Sequence, residues 1–276
     1  MLKDYVVKKP YKKISFHGEF QQELLHALPF AYWHFKNGTL KSTQSTGLTR
    51  ELYFFSADHH ESDESRDYQD NFNLEIPNSS HDLKLDMAKW LPVPLKQQYQ
   101  NGIYLFNKPI LIIANRFNTE WSQEPISYFD LEVLDTMMGL LKPQYQILYN
   151  RPPASEIVED NSEVKELGDY LWIKENHPEV VQLTDLYRDK ESMAKNYNHL
   201  QLLVYANCER FISIHGGTAT LASNFGGQNI IYSRKGHEHY LKEFESVFPK
   251  LSGAQIYHVK DYQALLETIR KEYVNG

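Results

Sequence analysis

The strongest constraint on the fold is an alternation of short apolar strands and helical segments between residues 108 and 233. The run Ile110-Leu111-Ile112-Ile113-Ala114 is continuously apolar, which is typical of a strand buried on both faces of a parallel sheet. The pattern predicts further strands at 145–149, 180–183, 210–214 and 229–232, and helices at 130–141, 199–206 and 218–225. This alternation predicts a doubly wound α/β sheet of the Rossmann type.

The residues before this region show a weaker α/β pattern. Lys13–His17 alternates as a first strand, and residues 19–34 have helical apolar spacing that Pro29 interrupts, so a kink or an end is expected there. Residues 51–56 predict a second strand, and the polar segment 57–82 predicts a loop.

Two prolines in residues 91–102 indicate a linker between two parts of the chain. We therefore expect a reduced Rossmann-like half at 1–100 and a larger Rossmann-like half at 101–276. A helix at about 261–275 is expected to end the second half.

Composition excludes several classes of protein. Hydrophobic residues make up 41% and charged residues 24% of the 276 residues, as in a globular domain. No run of about 18 apolar residues predicts a membrane span, and the basic start lacks the apolar core of a signal peptide. The net charge of 29 − 36 = -7 argues against general nucleic-acid binding. The single Cys208, predicted to lie in the core, fits a reducing compartment, so we expect a cytoplasmic protein.

The most informative segment is 204–232. Its apolar strand runs directly into two glycines and a helix of small residues. Ligands of open α/β sheets bind beyond the carboxyl ends of strands, where glycines allow close approach and a helix start attracts anions. The alternative is a tight turn with a capping Thr and a hydrogen-bonded His. The candidate ligand contacts are His215, Gly216, Gly217, Thr218 and Thr220.

Arginines follow two neighbouring strands of the same predicted sheet. Asn115-Arg116 comes after the strand at 110–114, and Arg151 comes after the next strand. A guanidinium suits bidentate contact with phosphate. In a parallel sheet both arginines lie on the same edge as His215. The alternatives are a surface arginine at 116 and a salt-bridged turn at 151.

The segments F-I-S-I-H-G-G (211–217) and G-G-Q-N-I-I-Y (226–232), with small-residue helices around them, resemble the donor-binding half of GT-B glycosyltransferases. The similarity is nearest to the plant xylosyltransferase-like and O-fucosyltransferase-like groups and extends over about 108–235. It implies a GT-B-like fold of two Rossmann-like halves, here with a reduced N-terminal half. It also implies that the Gly-rich turn and a basic residue at 115–116 hold the diphosphate of a nucleotide sugar.

The resemblance assigns further donor contacts. The backbone near Leu183 is expected to pair with the nucleobase, and Glu238 is expected to contact hydroxyls of the sugar or ribose. The alternative for the first is a helix N-cap at Thr184 or Asp185, and for the second a solvated charge.

Inverting transfer needs a general base that takes the proton of the acceptor hydroxyl. The candidates are His17, at the end of the first predicted strand, and Glu19, just after it. The alternative is that Glu19 caps the first helix and His17 packs. The Asp58–Glu61 segment has no third spaced ligand, and no D-x-D pair occurs, so no metal site is predicted.

These features predict a metal-independent and inverting glycosyltransferase, of hexosyl or pentosyl type, without a cofactor other than its nucleoside-diphosphate sugar. Its acceptor is expected to be a glycan or another hydroxyl compound, and no nucleic-acid partner is expected. Trp33, Tyr53 and Trp121 are candidates for stacking on sugars, with Trp33 better suited to the core. The alternatives are a non-hydrolysing nucleotide-sugar epimerase and a non-catalytic module that binds nucleotide sugars or glycans.

Overall fold

The chain forms two compact units, each built on a parallel β-sheet. One unit is Met1–Val93 with Ile157–Asn161, and the other is Pro94–Glu156 with Ser162–Gly276. Within the described residues nine strands form these two sheets, which confirms the predicted α/β class. The computed structural model describes residues 2–73, 75–76, 87–121, 123–158, 162–189, 192–236, 238–239 and 242–276.

The first unit has a three-stranded parallel sheet in the order β1-β2-β3. Its strands are β1 (Lys12–Phe16), β2 (Leu40–Thr46) and β3 (His59–Ser62). Its α-helical segments are Phe20–Gln22 and Leu28–Lys36, its π-helical segments are Lys3–Val7 and Glu23–Ala27, and its 3₁₀ turns are Arg50–Tyr53, Tyr68–Phe72 and Met87–Lys89.

The first long helix does not end at Pro29, because the structure compensates for the missing N–H of that proline. Helical backbone continues from Phe20 to Lys36 with a π-helical turn in the middle. Pro29 deprives the carbonyl of Leu25, four residues earlier, of its helical donor. The indole Nε1–H of Trp90 donates to that carbonyl at 2.7 Å instead. A residue 65 positions away therefore completes the helix.

The strand predicted at 51–56 is wrong. Leu52 and Tyr53 are buried on a 3₁₀ turn, whereas the polar stretch 40–46 forms β2. The buried Thr43 and Ser45 of β2 are accommodated because both hydroxyls contact the ring of His59, at 2.8 and 3.2 Å. The predicted loop 57–82 contains β3; its residues 74 and 77–82 lie outside the described part of the chain.

The second unit has a six-stranded parallel sheet in the order β6-β5-β4-β7-β8-β9. This is the Rossmann order 3-2-1-4-5-6, with one more strand than the sequence predicts. The strands are β4 (Ile110–Ala114), β5 (Gln146–Asn150), β6 (Val181–Gln182), β7 (Arg210–Ile214), β8 (Gln228–Tyr232) and β9 (Gln255–Val259).

Helices connect these strands. Leu95–Tyr99 falls in the stretch predicted as a linker, and the helix at the end of the chain becomes π-helical at Arg270–Val274. The described helices are Leu95–Tyr99, Leu131–Leu141, Asp169–Asn176, Leu183–Arg188, Tyr197–Tyr205, Gly217–Ser223, Glu243–Ser246, Phe248–Ser252 and Tyr262–Ile269, with a 3₁₀ turn at Ala154–Glu156. None of the helices in these described ranges combines the length and apolarity needed to cross a bilayer.

The core of the second unit lies around β4, whose five residues are all buried. The adjacent helix Leu131–Leu141 begins where the carboxylate of Asp130 accepts the N–H of Val133 at 2.9 Å, and it packs an apolar face on the sheet. Cys208 is fully buried, as predicted, and burial raises the pKa of its thiol to about 12.

Replacing Trp90 by Phe removes the donor that serves the carbonyl of Leu25. A buried carbonyl without a donor costs about 1–3 kcal/mol, so we expect the Trp90→Phe chain to lose that much free energy of unfolding in a urea titration. Trp33→Phe, a substitution in the helix that Trp90 completes, is the control and should change the free energy of unfolding little. Equal stability of both variants would contradict the capping role.

Candidate active site

The candidate site lies where the strand order of the second sheet reverses. The chain leaves β4 toward β5 on one side and later returns to β7 on the other, so β4 and β7 are neighbours with Ala114 opposite Ser213. Connections leave these two strands in opposite directions, which opens a crevice at their carboxyl ends. Arg116 follows β4 and His215 follows β7, so the fold brings together residues 99 positions apart.

Asn115 holds the loop that presents Arg116. Its amide donates to the carbonyl of Phe129 and to the hydroxyl of Tyr149, both at 3.0 Å. Its side-chain oxygen accepts the N–H groups of Arg116 and Phe129, both at 2.9 Å. The buried amide is thus used within the protein, and Asn115 positions Arg116 at the crevice.

His215 is the centre of a charged group that we call the His215 cluster, formed by Arg116, Glu120, His215 and Glu238. The imidazole is 3% exposed. Its Nε2 lies 3.3 Å from Oε2 of Glu120 and its Nδ1 lies 3.4 Å from Oε1 of Glu238. The Nη2 of Arg116 lies 3.0 Å from the other oxygen of Glu120. Two cationic groups therefore face two carboxylates.

The two carboxylates of the cluster determine the direction in which the pKa of His215 shifts. Burial alone lowers the pKa of His215, but the hydrogen bonds to Glu120 and Glu238 outweigh it and raise that pKa above its usual value. Burial acts to raise the pKa of Glu120, yet His215 and Arg116 bring it down to about 2. The two carboxylates thus favour the protonated form of His215, in which each ring nitrogen can donate to one of them.

Trp121 and Lys235 lie beside the cluster and are open to solvent. The indole of Trp121 is 46% exposed, and its centroid lies 6.1 Å from that of His215 with the rings 29° from parallel. The ammonium of Lys235 lies over the indole, 5.3 Å from its centroid. The buried Nε of Arg116 has no acceptor among the described residues. An exposed aromatic face and an exposed cation thus lie beside the His215 cluster.

The backbone conformation of the turn after β7 requires a glycine. Gly216 has φ 85° and ψ −153°, a region that only glycine populates readily. Gly217 begins a helix of seven residues, and Thr218 is partly exposed beside it. The hydroxyl of Thr220 donates to the carbonyl of Gly216 at 2.9 Å, so it braces the turn.

Arg151 lies at the predicted edge of the sheet, but its charge is engaged. Its Nε and Nη2 donate to the two carboxylate oxygens of Asp169 at 2.7 and 2.6 Å, and the guanidinium packs over Tyr170. Its side chain is 4% exposed. The structure thus places Arg151 in a buried ion pair, as the salt-bridged alternative described.

Leu183 begins the helix after β6 and is fully buried. The N-cap of that helix is Gln182, without a side-chain cap, so the alternative of capping by Thr184 or Asp185 is wrong. Nothing in the structure assigns Leu183 a ligand, and its role toward a nucleobase stays a prediction.

The candidate bases His17 and Glu19 lie in the first unit, after β1. The Nδ1 of His17 is 3.5 Å from the hydroxyl of Ser15, and its buried Nε2 has no partner among the described residues. Glu19 occupies the N-cap of the following helix without a side-chain cap, and its main-chain N–H donates to Asn71 at 2.9 Å. The carbonyl of Gly18 accepts from Arg66 at 2.6 Å. The turn that carries both candidates is therefore fixed.

The side chains of the acidic and histidine-rich segment 58–61 make structural contacts in the first unit. His59 is buried against β2, and burial lowers its pKa to about 4. Glu61 accepts the N–H groups of Thr49 and Arg50 at 2.8 and 2.9 Å. In the part of the chain that the structure describes, no group of three or more His, Cys, Asp or Glu side chains could hold a metal ion.

Sequence reasoning missed Glu120, which links Arg116 to His215. The signal that could have revealed it is the spacing of four residues between Arg116 and Glu120, an acid–base pair in a loop directly after a core strand. A contact with His215 depends on the strand order, which no local pattern contains.

Comparison with known proteins finds no matching family model and no matching curated protein. Among solved structures, the chain is similar to E. coli heptosyltransferase WaaC with ADP, at 11% identity and a TM-score of 0.40, over 98% of this chain and 77% of that one. It is also similar to the wall teichoic acid polymerase TagF, at 12% identity and a TM-score of 0.34, over 87% of this chain and 50% of that one.

The raised pKa of His215 makes the stability of the fold depend on pH. A group whose pKa is higher in the folded state contributes fully below its unfolded pKa, about 6.5 for His, and loses that contribution as pH rises through the folded value. The contribution of His215 to thermal stability should therefore fall between pH 6 and 9, while buried histidines whose pKa is lowered, such as His59, act in the opposite direction. His215→Gln, which cannot be protonated, isolates the contribution of His215. The difference in Tm between the unmodified chain and His215→Gln should shrink as pH rises, and a difference that does not change with pH would contradict a raised pKa at 215.

Proposed function

We propose that the protein is a glycosyltransferase that moves a sugar from a nucleoside-diphosphate sugar to a hydroxyl group of a glycan acceptor. The observation that carries this proposal is the meeting of Arg116 and His215 at the strand-order reversal, at 3.5 Å from each other. Crevices at this place bind nucleotides in open α/β sheets. The resemblance of residues 108–235 to the donor-binding half of GT-B glycosyltransferases supports the same substrate class.

The cationic groups of the crevice suit a departing diphosphate. Arg116 still has a buried donor, Nε, that no described residue accepts from, and the exposed Lys235 lies over the indole of Trp121. Preorganised donors aimed at developing negative charge stabilise a transition state without a metal ion. We therefore propose metal-independent transfer, with Gly216, Gly217 and Thr218 as further contacts of the donor.

The proposed reaction inverts the anomeric centre. The oxygen of the acceptor hydroxyl forms a bond to the anomeric carbon, and the bond from that carbon to the diphosphate oxygen breaks. The diphosphate leaves with the electron pair, and a base takes the proton of the hydroxyl. Glu19 and His17, on the fixed turn after β1, are the groups that we propose for this proton transfer.

Donor binding should depend on the guanidinium of Arg116. Hydrogen bonds to charged groups contribute about 1.5–3 kcal/mol, so Arg116→Ala should weaken binding by about tenfold or more. The measurement is calorimetric titration with UDP, GDP, ADP and dTDP, with and without EDTA. Arg116→Lys keeps the charge but loses the forked geometry, and it should give an intermediate affinity.

The matched control is Arg270→Ala, which removes an exposed arginine of the last helical segment and should leave binding unchanged. Binding that survives in Arg116→Ala would contradict the assigned phosphate contact. Loss of binding in EDTA would contradict metal independence. Interconversion of a nucleotide sugar without any acceptor would favour the epimerase, and binding without turnover would favour a non-catalytic module.

The two candidate bases can be separated by kinetics. Once a donor and an acceptor are found, replacing the true base by Glu19→Gln or His17→Gln should lower kcat by about 100-fold and leave donor affinity unchanged. The other variant should stay within a few-fold of the unmodified chain. If neither variant lowers kcat, the base lies elsewhere, and the assignment of the turn after β1 is wrong.

A further inference from the structure

The residue least explained by the fold is Trp121. It has φ 49°, in the left-handed region that a bulky residue avoids. It lies in a tight turn closed by two hydrogen bonds between Glu120 and Gln123, both of 2.9 Å. Asn and Gly are the residues that such turns favour. The chain therefore keeps a large indole at a position where its backbone is strained.

Packing in the core does not explain this strain. The indole is 46% exposed, so it does not fill the core. Its described ring contacts are the imidazole of His215 and the ammonium of the exposed Lys235. Strained residues persist where the surrounding structure imposes them, and they are concentrated at ligand sites. The exposed face of Trp121 thus has the properties of a binding platform.

The position of the platform indicates what it holds. Trp121 and the guanidinium of Arg116 both contact the imidazole of His215, at 6.1 Å between ring centroids and at 3.5 Å between nitrogens. Groups held by these two side chains must therefore be close neighbours in the ligand. In a nucleoside-diphosphate sugar the transferred sugar is bonded directly to the diphosphate, whereas the nucleobase is separated from it by the ribose.

The indole also has the right chemistry for a sugar. The face of an aromatic ring is electron-rich, and the ammonium of Lys235 lies over this one at 5.3 Å. The C–H bonds on one face of a pyranose are polarised by their oxygens and meet the same attraction. Lys235 is exposed and can move aside to contact the diphosphate.

We propose that Trp121 is the residue on which the transferred sugar ring of the donor packs, with its diphosphate on Arg116 and Lys235. This inference rests on the proposed function and assigns the sugar subsite within it. Trp121 then contributes to the choice of sugar and has no contact with the nucleobase.

The test compares each nucleotide sugar with its own free diphosphate. The probes are UDP-glucose, GDP-mannose, ADP-glucose and dTDP-glucose against UDP, GDP, ADP and dTDP, by calorimetric titration. For the pair that binds, Trp121→Ala should weaken the sugar conjugate by about tenfold and leave the free diphosphate within twofold. Trp121→Phe keeps an aromatic face and should retain most of the affinity. Trp172→Phe, in the helix Asp169–Asn176, is the matched control.

Each other outcome contradicts a different statement. If Trp121→Ala weakens the conjugate and the free diphosphate equally, the platform holds the nucleobase, and the sugar assignment is overturned. If Trp121→Ala weakens the binding of neither compound, Trp121 is not a platform. The same conclusion follows if the unmodified chain binds no nucleotide sugar more tightly than the corresponding free diphosphate. If the unmodified chain binds none of the eight compounds, the proposed function itself is contradicted.

A second readout separates a ligand platform from a structural residue. Asn tolerates left-handed backbone, so Trp121→Asn should relieve the strain and raise Tm by about 2 °C while it loses the sugar-dependent affinity. A fall in Tm would show that the indole stabilises the fold, and this result would overturn the proposal.

Discussion

Everything in the second unit depends on the pairing of β4 with β7. These strands are separated by almost a hundred residues, yet they lie in register from Leu111 opposite Arg210 to Ala114 opposite Ser213. The pairing is possible because β4 is apolar on both faces and is covered on both sides by helices. Since the connections leave in opposite directions, this pair opens the crevice at the carboxyl ends of the strands, and it sets Arg116 beside His215.

The crevice contains buried groups of opposite charge that compensate one another. His215 is almost completely buried, and a lone buried imidazolium is costly. Glu120 and Glu238 remove that cost, and Glu120 simultaneously fixes Arg116. The arginine is thus held in one orientation by a carboxylate on one side, while its Nε is left without a described acceptor. A side chain that is already held in one orientation loses little further entropy when it binds a ligand.

The sequence predicted the second unit better than the first for a physical reason. Strands such as Ile110–Ala114 and Arg210–Ile214 are buried on both faces, so their apolar runs are visible without tertiary knowledge. In the first unit β2 is polar, and Thr43 and Ser45 are buried through bonds to His59, which no periodicity reveals. The prediction that Arg116, Arg151 and His215 lie at one edge of the sheet followed from the parallel direction of its strands. The pairing of Arg151 with Asp169, and the role of Glu120, depend on contacts between distant residues.

Because Trp90 donates to the carbonyl of Leu25, which Pro29 leaves without its helical donor, positions 29 and 90 are expected to evolve together. A residue with an N–H at position 29 supplies its own helical donor, and the indole then competes for an acceptor that is already served. Conversely, loss of the indole N–H leaves this carbonyl without a donor only while proline stands at 29. Substitutions at 29 and 90 are therefore expected to be epistatic, and relatives of this chain should change the two positions in concert or keep both.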